Sequence, residues 1–404
     1  MAELVDRPVP LAWLARWQNR DVIKVVTGVR RCGKSTLLYM FRERLKAAGV
    51  PADSIVAINL EDPAYLELLP DPKRLYDHIV SQLVPAQANY VFIDEIQNAT
   101  EFERVVDGLF ILPNVDLYLT GSSSALLAGQ LASLLTGRYV ELGLLPLSFS
   151  EYVAARGGTG AAVGLRDLYD DYIRHGSFPF VLTLDSDTDV RQYLESVFDT
   201  ILLRDVAAAR RVADVGQLRS VAEFLYSAIG SVVSVNSIAN TMTSAGRKIS
   251  RPTVEGFVAA LADAHLVYPA RRWDVKGKRL LESGTKYYAV DVGLRRALLG
   301  AKPVDAGHVL ENVVYLELLR RGGKVYSGSV GRTEVDFVVE NDSETTFIQV
   351  AFDVNNPATL ERELAPLRSL PGFDTRLLLT MDREPPQSYD GIRRRSVLEW
   401  LATS

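Results

Sequence analysis

A single cysteine, Cys32, in 404 residues excludes a disulfide framework and any zinc site built on several thiolates. Histidine is almost as scarce. His78, His175, His265 and His308 lie far apart, without the spacing of a histidine-built metal site. Long apolar runs are missing too. The longest uncharged stretch, 224–246, is broken throughout by Ser, Asn, Thr and Gly, whereas a membrane span needs ~20 mostly apolar residues. The opening MAELVDRPVPLAWLARWQNRD has no basic segment followed by an apolar one, so no signal peptide and a cytoplasmic location are expected. There is no basic excess: 45 Lys and Arg against 50 Asp and Glu give −5. That excludes a wholly basic nucleic-acid coat protein but not a local basic patch. What is there is an ordinary globular mixture, 48% hydrophobic and 24% charged, long enough for two or three domains at ~150 residues each.

The run VIKVVT at 22–27 is followed by GVRRCGKSTLLYMFRERLKAAG. This predicts a buried strand, a loop and an amphipathic helix closed by Gly49. Further strands are expected at 54–59, 90–93, 115–120 and 139–142, and helices at 72–83 and 124–135. Strands alternating with helices in this way predict an α/β, doubly wound, mostly parallel sheet over roughly residues 18–150. From 165 to about 228 the pattern is helical. Residues 235–288 predict helix, turn, helix and two short strands around a basic turn. A helix at 309–321 and strands at 324–327, 334–339, 346–352 and 375–380 complete the chain. GGTGAAVG at 157–164 is the most linker-like stretch, and 300–307 is the second candidate boundary.

Gly28-Val-Arg-Arg-Cys-Gly33-Lys34-Ser35 matches G-x-x-x-x-G-K-[ST], with a strand before and a helix after. Each part has a physical task. Glycines let the backbone curl so that N–H groups point at phosphate oxygens, and the helix N-terminus adds partial positive charge. Gly28, Arg30, Arg31, Cys32, Gly33, Lys34, Ser35 and Thr36 are the expected ATP-binding set. Lys34 should reach the β- and γ-phosphates and Ser35 should ligate Mg²⁺. Cys32 reads as a small spacer, with redox chemistry as the alternative.

The apolar run YVFI ends in Asp94 and Glu95. Open α/β sheets bind ligands at the carboxyl ends of their strands. Asp94 should hold Mg²⁺, and Glu95 should orient or deprotonate the attacking water. The competing reading is a solvated acidic turn. Ser122 is the residue expected to touch the γ-phosphate or lytic water, with Thr120 next, although hydroxyls there also suit capping of the helix that follows. Arg138, just before the fifth strand, could act on a neighbouring subunit's γ-phosphate or sit in a surface ion pair.

These residues resemble the AAA+ ATPases. GVRRCGKSTLL, VFIDEIQNA, YLTGSSSALL, LTGRYVELGLLPLSFSEY, YIRHGSFPFVL and KYYAVDVGLRRALLG are similar to a narrower prokaryotic family of AAA-type ATPases with a C-terminal domain of unknown function. The resemblance covers nearly the whole chain. It implies a homo-oligomeric ring, a hexamer, with Arg138 as arginine finger, a helical lid after the core, and Arg204 as a candidate second sensor.

After the lid, Ser250 can cap and Pro252 suits the first turn of a helix whose apolar face is Val254, Phe257 and Leu261. With the preceding helix this makes a helix-turn-helix, and Arg271, Arg272, Lys276, Lys278 and Arg279 form a basic hairpin tip, as in a winged helix. Residues 245–300 hold eleven Lys and Arg and five Asp and Glu, a net of +6 against −11 for the rest. DNA is therefore the expected partner, with Arg247, Lys248, Arg251 and the five tip residues as its candidate contacts. A winged helix used only for protein contacts is the alternative. The order of core, lid and winged helix is similar to that of Holliday-junction motors and archaeal initiator ATPases.

Glu311 on a helix, Asp336 on a strand and Gln349-Val-Ala351 on the next resemble the PD-(D/E)xK nuclease fold. Such a site needs carboxylates for Mg²⁺ and a lysine to position water. Gln349 replaces an acid and Ala351 stands where the lysine belongs, so a degenerate site is expected, with Glu317 and Glu334 as nearby carboxylates that could compensate. The simpler alternative for Glu311 is a solvated helix residue. The expected division is a 1–158 AAA+ core, a 159–215 lid, a 216–300 winged helix and a 301–404 nuclease-like domain. The expected function is ATP hydrolysis coupled to DNA binding and remodelling, branched DNA such as Holliday junctions included. The rivals are a nucleotide-switched regulatory or defence ATPase acting on a protein, and an ATP-dependent nuclease.

Overall fold

The computed structural model describes residues 4–122, 137–157, 164–300, 306–331, 333–341, 344–372, 374–382 and 387–403. The chain forms two compact units divided at Leu144/Leu145, the first of which also takes in Asp263–His265. The expected boundaries at 158/159, 215/216 and 300/301 thus all fall beyond the division at 144/145. The helix expected at 124–135 lies outside the described residues, as does most of the linker-like 157–164 stretch.

The first unit holds helices α1 (Pro8–Trp17), α2 (Lys34–Ala47), α3 (Pro72–Val80) and α4 (Phe102–Phe110). Its strands are β1 (Ile23–Thr27), β2 (Ile55–Asn59), β3 (Asn89–Asp94), β4 (Val115–Gly121) and β5 (Tyr139–Gly143). They form one sheet in the order β2-β3-β4-β1-β5, every pair parallel. Cover on both faces explains why the strands read as continuous apolar runs. Ile23, Val25, Ile58, Val91, Ile93, Leu117 and Leu119 pack with Leu75, Ile79, Val105 and Leu109 of α3 and α4. On the other face Phe92 stacks on Tyr118 at 4.6 Å, and Phe41 of α2 leans on both. Lys24 points to this second face and is fully buried. It is tolerated because its ammonium pairs with Asp116 and donates to the Arg20 carbonyl at 3.0 Å. The third helix starts where Asp71 caps it, accepting from the Lys73 and Arg74 amides, with Pro72 in the first turn.

The second unit opens with helices α5 (Phe149–Gly157), α6 (Leu165–His175), α7 (Asp187–Thr200) and, after a π-helical stretch at Ile201–Ala208, α8 (Val215–Ser227). Strand β6 (Val232–Val233), helices α9 (Val235–Ser244) and α10 (Arg251–Asp263), and the hairpin β7 (Val267–Asp274) and β8 (Arg279–Ala289) follow. Then come α11 (Val292–Leu299), α12 (Ala306–Arg320), β9 (Lys324–Val330), β10 (Thr333–Glu340), β11 (Thr345–Ala351) and α13 (Pro357–Arg368). The chain ends in β12 (Thr375–Thr380), β13 (Gln387–Tyr389), β14 (Ile392–Ser396) and α14 (Val397–Ala402). Nine strands make one sheet, β13-β14-β12-β11-β10-β9-β7-β8-β6. The hairpin is continuous with this sheet: Arg272, Trp273 and Asp274 run parallel to Ser327, Gly328 and Ser329 of β9. Sheet continuity ties together segments on either side of the expected 300/301 boundary. Sequence reading also missed β14, whose IRRRS looks like loop. Arg394 is buried there by an ion pair to Asp382 at 2.7 Å. Among the described residues no helix is long and apolar enough to cross a membrane.

Candidate functional site

The loop between β1 and α2 brings the predicted phosphate-binding residues to the carboxyl edge of the parallel sheet. Gly28 has φ +147°, and a Cβ there would lie 2.2 Å from the Leu144 carbonyl oxygen. Only glycine fits that backbone. Arg31 at φ +70° and Gly33 at φ +105° complete the curl. The Lys34 ammonium is buried under the loop and donates to the Gly28 carbonyl at 2.9 Å, with Val29 O at 3.4 Å. Ser35 and Thr36 are exposed at the N-terminus of α2, where amides lack helical partners. Arg30 pairs with Glu61 at 3.0 Å on the rim. The Cys32 side chain is buried, and burial pushes its thiol up, away from the reactive thiolate. It serves as the small spacer. Sequence reading missed its neighbour Arg7, which is buried and donates to the Cys32 carbonyl at 3.3 Å.

Asp94 and Glu95 are both buried at the end of β3, which rules out a solvated acidic turn. Thr120, at the end of β4, donates to Asp94 Oδ1 and accepts from the Glu95 amide at 2.9 Å. Glu95 stands at φ +53°, a conformation uncommon outside glycine, and its Oε1 is 3.7 Å from Lys34 Nζ. Gln97 donates to Glu95 Oε2 and reaches Ser122 Oγ at 3.4 Å. Lys34, Asp94, Glu95, Thr120 and Ser122 thus converge, and Gln97 joins them. Nothing in the DEIQNA string distinguished Gln97; the 3₁₀ turn at Ile96–Asn98 turns it back. The arrangement fits ATP and Mg²⁺. A curled amide loop, a buried ammonium and exposed hydroxyls face two carboxylates across one strand edge. Ser35 and Asp94 would hold the cation, whose chemistry is to neutralise phosphate charge.

His265, which no sequence pattern flagged, also belongs to this unit. Burial, and then the Lys34 charge, bring its imidazole down to about 4. A neutral buried histidine titrates at about 6.5 when unfolded, so the unfolded chain binds the extra proton between those values. Stability should therefore fall as pH drops from about 6.5 to 4, by about 3 kcal/mol in total. Urea unfolding at pH 7 and pH 4.5 checks this. His265→Asn, which tolerates the φ of +56°, should remove most of that difference, and an equal pH dependence in both proteins would assign it to other groups.

Arg138 pairs with Asp107 at 2.6 Å and lies over the Phe110 ring. Arg204 is exposed on the π-helical stretch of the second unit. Arg247, Lys248, Arg251, Arg271, Lys276, Lys278 and Arg279 are exposed. Arg272 is half-buried against Ser329 across the strand pairing, and this takes it out of the exposed tip.

A second cluster lies in the nine-stranded sheet. Glu311 is buried, not solvated, and accepts from Tyr288 at 2.6 Å. Lys286 of β8 puts its ammonium 2.9 Å from Glu311, 2.5 Å from Glu334 and 3.8 Å from Asp336. The cation of this cluster thus comes from a hairpin strand, which motif reading along β10 and β11 could not find. Gln349 donates to Glu363 at 3.0 Å, and the Val350 amide donates to Asp336 at 2.9 Å. Glu317 does not compensate; it pairs with Arg321 and Arg320. Burial and the Glu311 charge hold Asp336 well above the usual carboxylate range. Burial pulls Lys286 down, but its three carboxylates reverse this and leave it raised. Among the described residues no group of three or more His, Cys, Asp and Glu is arranged to hold a metal ion.

Comparison with known proteins gives an AAA domain over residues 20–153 and a domain of unknown function (DUF8612) over 166–305. An uncharacterized protein of Haemophilus influenzae is 34% identical over 399 residues, 98% of each chain. An uncharacterized protein of Methanocaldococcus jannaschii is 28% identical over 90% of this chain and 83% of its own. A Walker-type ATPase of Pyrococcus abyssi shares the fold with a TM-score of 0.51 and 16% identity, over 73% of this chain and 96% of its own.

Proposed function

Since the chain belongs to the family of the Haemophilus influenzae protein and carries an AAA domain, we propose that it hydrolyses ATP and couples turnover to binding and remodelling of DNA. The convergence of Lys34, Asp94 and Glu95 at one sheet edge carries the first half. Lys34, now on loop carbonyls, would transfer its donors to the β- and γ-phosphates. Glu95, positioned by Gln97 and the Thr120 hydroxyl, would accept the proton of the attacking water at a carboxylate oxygen. Ser122 would orient that water through Gln97.

The DNA half rests on charge and topology. The helix pair α9 and α10 precedes an antiparallel hairpin whose tip exposes Lys276, Lys278 and Arg279, in a segment with a net of +6. We read residues 216–300 as a winged helix, 159–215 as a lid and 301–404 as a degenerate nuclease-like domain. ATPase rates with single-stranded, duplex and four-way DNA test the coupling. Stimulation supports a DNA-directed motor, and indifference to all three supports the protein-directed switch. Removing charge at Arg271, Lys276, Lys278 and Arg279 should weaken binding to many sequences alike and flatten its salt dependence, because each phosphate contact releases counterions. Unchanged binding at low salt would move the DNA site elsewhere.

A ring of identical subunits, hexameric by this reading, would let Arg138 leave Asp107 and reach a neighbour's γ-phosphate. Mixing Arg138→Ala with Glu95→Gln subunits should then restore part of the lost turnover, since some interfaces contain one intact site. No recovery in subunits shown to exchange would remove the finger role.

A further inference from the structure

Within the second unit, α6, α7 and α11 enclose a cavity of about 210 Å³. We infer that it binds a phosphate monoester dianion, at a site distinct from the phosphate loop. Its walls are built firmly. The buried Asp291 carboxylate accepts from the Ser177 amide and hydroxyl, both at 2.6 Å, and from the Leu294 amide at 2.6 Å. This joins the end of α6 to the start of α11. Gly293 sits so close to Gly176 that a Cβ would lie 2.3 Å from its nitrogen.

The floor is apolar, with Val190, Leu194 and Ala297, and the rim carries Arg174, Arg191 and Arg296. Elsewhere in this unit Arg166, Arg219, Arg320 and Arg321 pair with carboxylates. Among the described residues no carboxylate lies within ion-pair distance of the three rim arginines. Arg191 is one turn from Asp187 on α7, where the two could pair, yet Asp187 turns to His175 Nε2 at 2.8 Å. His175 Nδ1 is buried without a hydrogen-bond partner. Three guanidiniums less one carboxylate leave +2, the complement of a phosphate monoester. Guanidiniums suit this ligand because their planar N–H forks match its oxygens. Small organic phosphates and the 5′-phosphorylated ends of nucleic acids present the same group.

Isothermal titration of full-length Lys34→Ala protein, in which the phosphate loop is weakened, tests this. The ligands are inorganic phosphate and an oligonucleotide with a 5′-phosphate beside its 5′-hydroxyl twin. Saturable phosphate binding is expected, weakened about a hundredfold by Arg174→Ala/Arg296→Ala through loss of two charge-assisted contacts. Asp187→Asn should tighten it by removing repulsion, which a merely structural role would not do. Preference for the phosphorylated oligonucleotide assigns the ligand to nucleic-acid ends. Equal behaviour of the twins, with phosphate binding kept, assigns it to small phosphates. Should the double variant fail to fold, Arg191→Gln on the exposed side of α7 must show the same direction of change. No saturable binding, or unchanged affinity in a variant that melts like its parent, overturns the site.

Discussion

The Glu95→Gln protein should bind ATP as its parent does and lose turnover by about a hundredfold to ten-thousandfold, the range for a removed general base. The amide keeps the shape of the side chain, and the contacts that fix the backbone, the Glu95 amide on Thr120 above all, are untouched. What disappears is a carboxylate able to take a proton. Lys34→Ala should instead weaken nucleotide binding itself, because the phosphates lose their fixed cation. Filter binding of labelled ATP and single-turnover hydrolysis separate the two effects. Comparable turnover in Glu95→Gln would assign the base to another residue of the cluster, with Asp94 first in line.

Lys286→Ala should destabilise the second unit by about 3–5 kcal/mol at neutral pH, the usual result of leaving buried charges without their partner. Glu311 and Asp336 are buried, and Lys286 is the cation paired with both. The sign of the pH dependence follows. Burial and the Glu311 charge already hold Asp336 above its unfolded value, and Lys286 opposes that rise, so its loss lifts Asp336 further. The destabilisation should be full above that raised value and should shrink as pH falls toward the unfolded range near 4. Urea unfolding of parent and variant at pH 7.5 and pH 5 measures it; a difference that grows on acidification would contradict the electrostatic account. The same internal cation neutralises the carboxylates that a nuclease would offer to Mg²⁺. No cutting of single-stranded, duplex or branched DNA is expected, and cleavage abolished by Asp336→Ala would reverse that reading.

Local pattern carried far in the first unit. Each β-strand there is a short apolar run, because both faces of a parallel sheet are covered. The glycines and Lys34 sit at fixed spacing, because a phosphate loop is made by consecutive residues. A contiguous motif can be read from a sequence, since its geometry is set by backbone conformation over eight positions. Asp94 and Glu95 were legible for the same reason, standing at the end of a strand.

Residues brought in from elsewhere in the chain escaped that reading. Gln97 acquires its place only because the turn after Glu95 folds it back. Lys286 reaches Glu311, Glu334 and Asp336 only because the hairpin joins the C-terminal sheet through β7 and β9. The IRRRS strand is held by the Arg394–Asp382 pair, against the polar look of its sequence. The amino-acid sequence by itself determined the parallel α/β core and the curled glycine loop after its first strand, because both depend on local periodicity and spacing. The tertiary structure alone decided which distant side chains neutralise one another, because an ion pair between buried groups is set by strand order and register, and these are not written in any one segment.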